Sequence, residues 1–203
     1  MARLGLVMAT ELEAGPLIAA LDLRLLQNRP YRIYGNTALT LVISGIGKAH
    51  AAAGTAHLIE RHAPELIANL GVAGALSDSF SLGELCQAAS VTEPDRLDVF
   101  TNQSPEFTPA TLSGPRQVRL ATMDRPARTA AERAELAELA ELIDMEGAAV
   151  IQTAATYGLS CHLIKLVSDT PEQPDLKANL TKNPSLPGHL PRILTLLEQI
   201  QLA

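Results

Sequence analysis

The chain has 203 residues, enough for one domain with a sizeable core, and its 47% apolar and 19% charged content is that of a folded soluble protein. A net charge of −6 argues against nucleic acid or an anionic membrane as a broad-surface partner, while leaving a small ligand open. Aromatic residues make up 3% of the chain and Trp is absent, so the core must be aliphatic and few rings can stack on a ligand.

Ala2 to Met8 reads as a short buried strand. Glu11 and Glu13 interrupt the N-terminal apolar run too soon for a signal peptide, and no stretch has the length of a membrane span. The expected location is therefore the cytoplasm. Thr10 is placed to cap a helix from Glu11 to about Ala20, with Glu13 at its third position. Glu13 could activate water, but a carboxylate in a first helical turn also has a plain use in complementing the helix dipole. Tyr31 to Tyr34 and Ala38 to Ile43 are β-rich runs around the hairpin turn Gly35-Asn36.

Ser44-Gly45-Ile46-Gly47-Lys48 is a glycine-punctuated turn into an Ala-rich helix over about residues 48–62. It lacks the spacing of a phosphate loop and the third glycine of a dinucleotide fingerprint, so Lys48 is read as structural and the turn as a site wall. His50, His57 and His62 fall on this helix, largely solvated, and the histidines show no metal spacing. Leu66 to Leu70 is a buried strand that ends in a second small-residue turn, Gly71 to Ala75. Backbone N–H groups of such a turn can face a ligand.

Glu84 to Val91 is a weaker strand, residues 92–115 read as a loop, and Gln117 to Met123 as a strand. Thr129 to Leu142 reads as a helix, with Leu136, Leu139 and Ile143 at helical spacing. Cys86 and Cys161 belong to no metal-binding pattern and are expected to be buried thiols, with a disulfide as the alternative.

Asp144-Met145-Glu146-Gly147-Ala148-Ala149 is the most informative stretch: two carboxylates at the mouth of an apolar helix, Ala148 to Tyr157, with no basic residue nearby. A carboxylate aimed into a cleft can grip sugar hydroxyls; the plainer alternative for Glu146 is a helix-start charge. Cys161 to Val167 is a strand, and Ser168-Asp169 follows at its carboxyl end, the usual ligand side of such sheets. Asp169 could instead be a turn former before Pro171. Thr170 to Gly188, with four prolines, is expected to be a loop or lid, and His189 to Leu202 a closing amphipathic helix. Strands alternating with helices predict one α/β domain, residues 1–203, with a mostly parallel sheet.

Five segments, in this order, resemble the nucleoside phosphorylase and nucleosidase superfamily: Met8 to Glu13, Ser44 to Lys48, Asn69 to Ala75, Asp144 to Ala148, and Val167-Ser168-Asp169. The wording of Ala9-Thr10-Glu11, Asn69 to Ala75 and Met145 to Ala149 is most similar to futalosine hydrolases, with methylthioadenosine/adenosylhomocysteine nucleosidases next. The resemblance implies a three-layer α-β-α fold with a mixed, mostly parallel central sheet flanked by helices. It implies cleavage of the N-glycosidic bond of a purine nucleoside, without cofactor or metal, by a homodimer.

It also assigns roles. Glu13 would orient and deprotonate water, and Asp169 would hand a proton to purine N7. Glu146 would accept hydrogen bonds from the ribose hydroxyls and Met145 would pack on the sugar. Ala9, Gly45, Ile46, Val72, Ala73, Gly74 and Ser168 would complete the binding surface. Phosphorylases of this superfamily carry an Arg where this chain offers Glu13, and an Arg and a Ser where it has Asn69 and Val72, so hydrolysis is favoured. A phosphate-dependent phosphorylase and a non-catalytic nucleoside-binding protein are the alternatives. Relative to the family the chain is shortened between about 101 and 143, and Ala121 to Pro126 lacks the usual base-stacking ring, for which Phe107 and Tyr157 are candidate replacements.

Overall fold

The structure, a computed structural model, describes residues 3–176, 178–179 and 185–202. In chain order its elements are β1 (Leu4–Met8), α1 (Glu11–Ala20), β2 (Arg24–Gln27), β3 (Arg32–Gly35), β4 (Leu39–Ile43), α2 (Lys48–His62), β5 (Leu66–Ala75), β6 (Leu85–Thr92), β7 (Glu106–Phe107), β8 (Arg116–Thr122), α3 (Ala130–Ala137), β9 (Leu142–Asp144), α4 (Gly147–Thr156), β10 (Cys161–Asp169) and α5 (Ser185–Leu202). Among the described residues no helix is long and apolar enough to cross a membrane.

The fold is α/β around one mixed sheet. β1 lies between β4 and β5 with both pairings parallel, and β2, β3 and β4 form an antiparallel meander. Beyond β5 the ladder runs through β10, β6, β8 and β9, and β9 returns to β5, so these five strands close on themselves.

Alternation along the inner strands feeds two aliphatic cores, as the period of a β-strand requires. Val7, Ile67, Leu163 and Val167 face a cluster shared with Leu58 of α2 and Val150 and Ile151 of α4. Leu4, Leu6, Met8, Leu70, Ile164 and Leu166 face the other, shared with Leu17 of α1 and Ile193 and Ile200 of α5. Helices thus cover both faces of the sheet.

Several expectations are corrected. Gly71 to Ala75 is not a turn but the second half of β5, because β10 supplies a parallel partner from Ile67 to Gly74. Small side chains here permit close approach: a Cβ on Gly74 would lie 2.9 Å from Asp169 Oδ2. The helix expected to reach Leu142 stops at Ala137, since Leu142–Asp144 pairs with β5 and β8 as β9. Ile143 therefore meets Leu136 from a strand rather than from the same helix, and Leu139 is exposed.

β2, whose Leu25 and Leu26 are both exposed, and the two-residue β7 show no alternation that would announce them. His57 and His62 are half-buried rather than solvated, and His62 Nε2 is buried without a hydrogen-bond partner among the described residues. α5 starts at Ser185, inside the stretch expected to be loop; Pro184 lies outside the described residues. Cys86 and Cys161 are free and buried, and burial pushes both thiols up to about 12.

Candidate active site

A cavity of about 300 Å³ opens where the carboxyl ends of β1, β5, β9 and β10 meet the first turns of α1 and α4. Ten of the residues named from the sequence line it: Ala9, Glu13, Ile46, Val72, Ala73, Gly74, Met145, Glu146, Ser168 and Asp169. Gly45 does not. Its φ of +93° suits glycine, and its N–H is bound to Ala9 O at 3.0 Å, so it shapes the turn behind the wall. Lys48 also lies outside the lining, ion-paired with Glu93 at 3.3 Å and Asp95 at 2.7 Å.

Glu13 serves the helix start and also lines the cavity. Glu13 Oε2 accepts from Thr10 N at 3.1 Å and Thr10 Oγ1 at 2.7 Å, closing a capping box at the start of α1. Its other oxygen accepts from Val72 N at 3.2 Å, which fixes the carboxylate against β5 at the cavity wall.

The Asp144–Glu146 stretch separates into two jobs. Asp144 Oδ2 accepts from Gly147 N at 2.8 Å and so caps the helix, while Oδ1 accepts from Thr122 Oγ1 at 2.6 Å. Glu146 is the N-cap residue of α4 yet makes no side-chain cap bond. Its Oε1 reaches across to Gly47 N at 2.9 Å. Burial, aided by the neighbouring Asp144 charge, pushes the Glu146 carboxyl up to about 7, against the opposing pull of Lys165 and of the Gly47 N–H.

Two cations were not singled out from the sequence. Lys165 of β10, 1% exposed, donates to Asn69 Oδ1 at 2.6 Å and pairs with Asp144 Oδ2 at 2.6 Å. It is the basic partner missing from the local sequence around Asp144. Arg133 of α3 is buried, donates to Ala75 O, and makes a short ion pair with Asp169 Oδ2. Asp169 Oδ1 accepts from Ser168 Oγ at 2.7 Å.

Each cation carried a signal: Lys165 interrupts an apolar strand, and Arg133 shares the buried stripe of α3 and its extension with Leu136, Ala137 and Ala140 at helical spacing. A charge on an apolar face needs a buried partner. Among the described residues no aromatic lines the cavity, so Phe107 and Tyr157 both lie outside its lining; Pro126, Ala127, Arg133 and Leu176 are further lining residues.

The phosphorylase superfamily model matches residues 3–185. A 5'-methylthioadenosine/S-adenosylhomocysteine nucleosidase from Haemophilus ducreyi is 35% identical over 78 residues, 36% of this chain and 34% of its own length. An enzyme of the same name from Shewanella halifaxensis is 28% identical over 62% of this chain and 66% of its own. The chain thus spans between a third and two thirds of the length of these curated relatives.

Among solved structures, the 5'-methylthioadenosine/S-adenosylhomocysteine nucleosidase from Helicobacter pylori with butyl-thio-DADMe-Immucillin-A matches with a TM-score of 0.85 and 15% identity, over 98% of this chain and 99% of that one. A futalosine hydrolase mutant of Helicobacter pylori matches with a TM-score of 0.78 and 16% identity, over 90% and 91%. At these identities the likeness is one of fold.

Proposed function

The chain belongs to the phosphorylase superfamily, and on that premise we propose that its cavity hydrolyses the N-glycosidic bond of a purine nucleoside. The observation that carries this reading is that Glu13, Glu146 and Asp169, from three separate segments, line one cavity of about 300 Å³. That is the number and type of groups the reaction needs.

Breaking the bond from C1' to N9 leaves positive charge on the ribose and sends the bonding electrons to the base. Glu146, facing the ribose, accepts hydrogen bonds from its hydroxyls, and its negative charge stabilises the cation. Met145 supplies the apolar wall behind the sugar. A water oxygen adds to C1' while Glu13 takes one of its protons, and Asp169, which enters this step protonated by solvent with its Arg133 pairing loosened, delivers that proton to N7, so the products are a free base and a ribose with a hydroxyl at C1'. Acid or base help of this kind contributes about 10²–10⁴ in rate. A carboxylate at the Glu13 position repels phosphate, which favours water as the nucleophile.

A cytoplasmic homodimer is part of the same reading. Leu97, Val99 and Phe100 in the loop after β6 are exposed, Val99 by 87% and Phe100 by 93%, and a partner surface would cover them. Sedimentation at several protein concentrations tests that part.

The deciding experiment incubates the protein with futalosine, methylthioadenosine, adenosylhomocysteine, inosine and adenosine, each with and without phosphate, and reads free base by chromatography. Hydrolysis gives base and free ribose product without phosphate. Base release that requires phosphate and yields ribose 1-phosphate replaces the reading with a phosphorylase. Binding with no base released from any of them replaces it with a nucleoside-binding protein.

A further inference from the structure

Glu146 is the least anchored of the three site carboxylates. Among the described residues its side chain has one hydrogen-bond partner, Gly47 N at 2.9 Å. Glu13 and Asp169 are each held by two residues. The helix that Glu146 opens does not use it, because Asp144 Oδ2 and Thr122 Oγ1 take the Gly147 and Ala148 N–H groups at 2.8 and 3.0 Å. The place of Gly47 therefore decides where the Glu146 carboxylate is held.

Gly47 sits in a turn where Gly45 and Gly47 have φ of +93° and +96°, and glycines bring no side chains to fix it. The turn is tied in front by the bond from Gly45 N to Ala9 O at 3.0 Å, and behind by Lys48. Lys48 Nζ reaches Asp95 at 2.7 Å and Glu93 at 3.3 Å, just past the end of β6. The Lys48 N–H donates to Asp124 Oδ1 at 2.8 Å, and Asp124 N donates to Asp95 Oδ2 at 2.9 Å. One residue thus ties the start of α2 to two other segments, through side chain and backbone alike.

We infer that Lys48 is a positioning residue for Glu146: it holds the turn so that the Gly47 N–H meets one carboxylate oxygen and leaves the other for the ribose. Lys48 lies outside the cavity lining and acts only through Gly47. The consequence for turnover rests on the reading of Glu146 as the ribose carboxylate. Burial pushes Glu146 towards its neutral form and the Gly47 N–H opposes it, so a loosened turn favours the neutral form further. The other groups facing Glu146 are Asp144 of β9, Lys165 of β10 and Glu13 of α1. The ion-pair partners of Lys48 are Glu93, Asp95 and Asp124, so a change at Lys48 leaves that set in place.

The test follows the Gly47 amide by NMR in the intact protein from pH 5 to pH 9, beside kcat/KM for whichever of the five nucleosides is hydrolysed fastest. In the wild type the amide shift should titrate with a midpoint of about 7, and E146Q should abolish that titration. K48M should move the midpoint up. At pH 6.5 its kcat/KM should fall about tenfold, because a carboxyl raised by one pH unit keeps about a tenth of its ionised fraction there. The loss should recover towards pH 9, whereas a folding defect lowers kcat/KM by the same factor at every pH. R96M removes another cation from Glu93, paired at 3.0 Å, without touching the turn, and should leave the midpoint alone. D124A cuts the backbone tie and keeps the ammonium. It should move the midpoint up, although removing an anion would by itself lower it, and it serves where K48M does not fold.

A wild-type Gly47 amide that does not titrate, a K48M or D124A midpoint equal to the wild type, or a K48M shift that R96M reproduces overturns the inference. An upward shift in K48M and D124A with no nucleoside hydrolysed supports the hold on Glu146 and removes the nucleosidase reading. Unchanged midpoints with normal hydrolysis do the reverse.

Discussion

Lys165 Nζ lies 2.6 Å from Asp144 Oδ2 with both side chains buried, and Asp144 in turn caps the helix whose N-terminus carries Glu146. Neutralising only the lysine leaves a buried carboxylate without its cation, a change that typically destabilises by about 3–5 kcal/mol. K165M should therefore lower the urea midpoint sharply, with an unchanged slope. The double variant D144N/K165M, which removes both charges, should recover part of the loss. A K165M midpoint equal to the wild type would mean that the pair contributes nothing to the fold.

Glu146 should make both stability and activity depend on pH near neutrality. Its carboxyl is raised from 4.5 to about 7, so the fold favours the neutral form. That contribution is complete below about pH 4.5 and is lost as pH rises through about 7; such a rise corresponds to about 3 kcal/mol. Urea unfolding at pH 5.5 and pH 8 should show E146Q gaining stability on the wild type at the higher pH. Activity has the opposite sign, because the ionised form stabilises the ribose cation. Wild-type kcat/KM should fall as pH drops through about 7. A flat profile from pH 5.5 to pH 8 would remove Glu146 from that role.

What could be read from the sequence was local. The capping box of Thr10 and Glu13 closes within three residues, and the hairpin of β3 and β4 turns on adjacent residues. Such features depend on neighbours along the chain, which a sequence displays directly. The extension of β5 past Gly71 depends instead on β10, and β9 on β5 and β8, so propensity at Gly71 or Leu142 pointed the wrong way. The carboxylates of the site were found because family wording surrounds them. Arg133 and Lys165 were missed because their partners are distant in sequence, Asp169 being 36 residues from Arg133.

Gly74 should tolerate no side chain. A Cβ there would sit 2.9 Å from Asp169 Oδ2 and 3.2 Å from Oδ1. Asp169 is held by Arg133 and Ser168, so it cannot yield without breaking those contacts. G74A should shift the carboxylate, and a displacement of about 1 Å at a reacting group can reduce the rate on the order of 10²-fold. Under the proposed mechanism the loss falls on kcat more than on KM. Wild-type kcat in G74A would show that Asp169 need not be held in this position.

Glu13→Gln separates the cap from the chemistry. The amide keeps an oxygen that can accept from the Thr10 or Val72 N–H, although it cannot accept at both of its end atoms as the carboxylate does. Weakening one capping interaction reduces stability by about 1 kcal/mol, which thermal unfolding would register as a small fall in Tm. The amide has no basic oxygen to take a proton from water, so turnover should fall by about 10²–10⁴ while nucleoside binding is largely kept. Thr10→Ala is the control, since it disturbs the same cap and leaves the carboxylate in place. It should lose similar stability and retain most of the turnover. If the two variants lose turnover equally, Glu13 acts through the helix start, and the attacking water must be activated by another group.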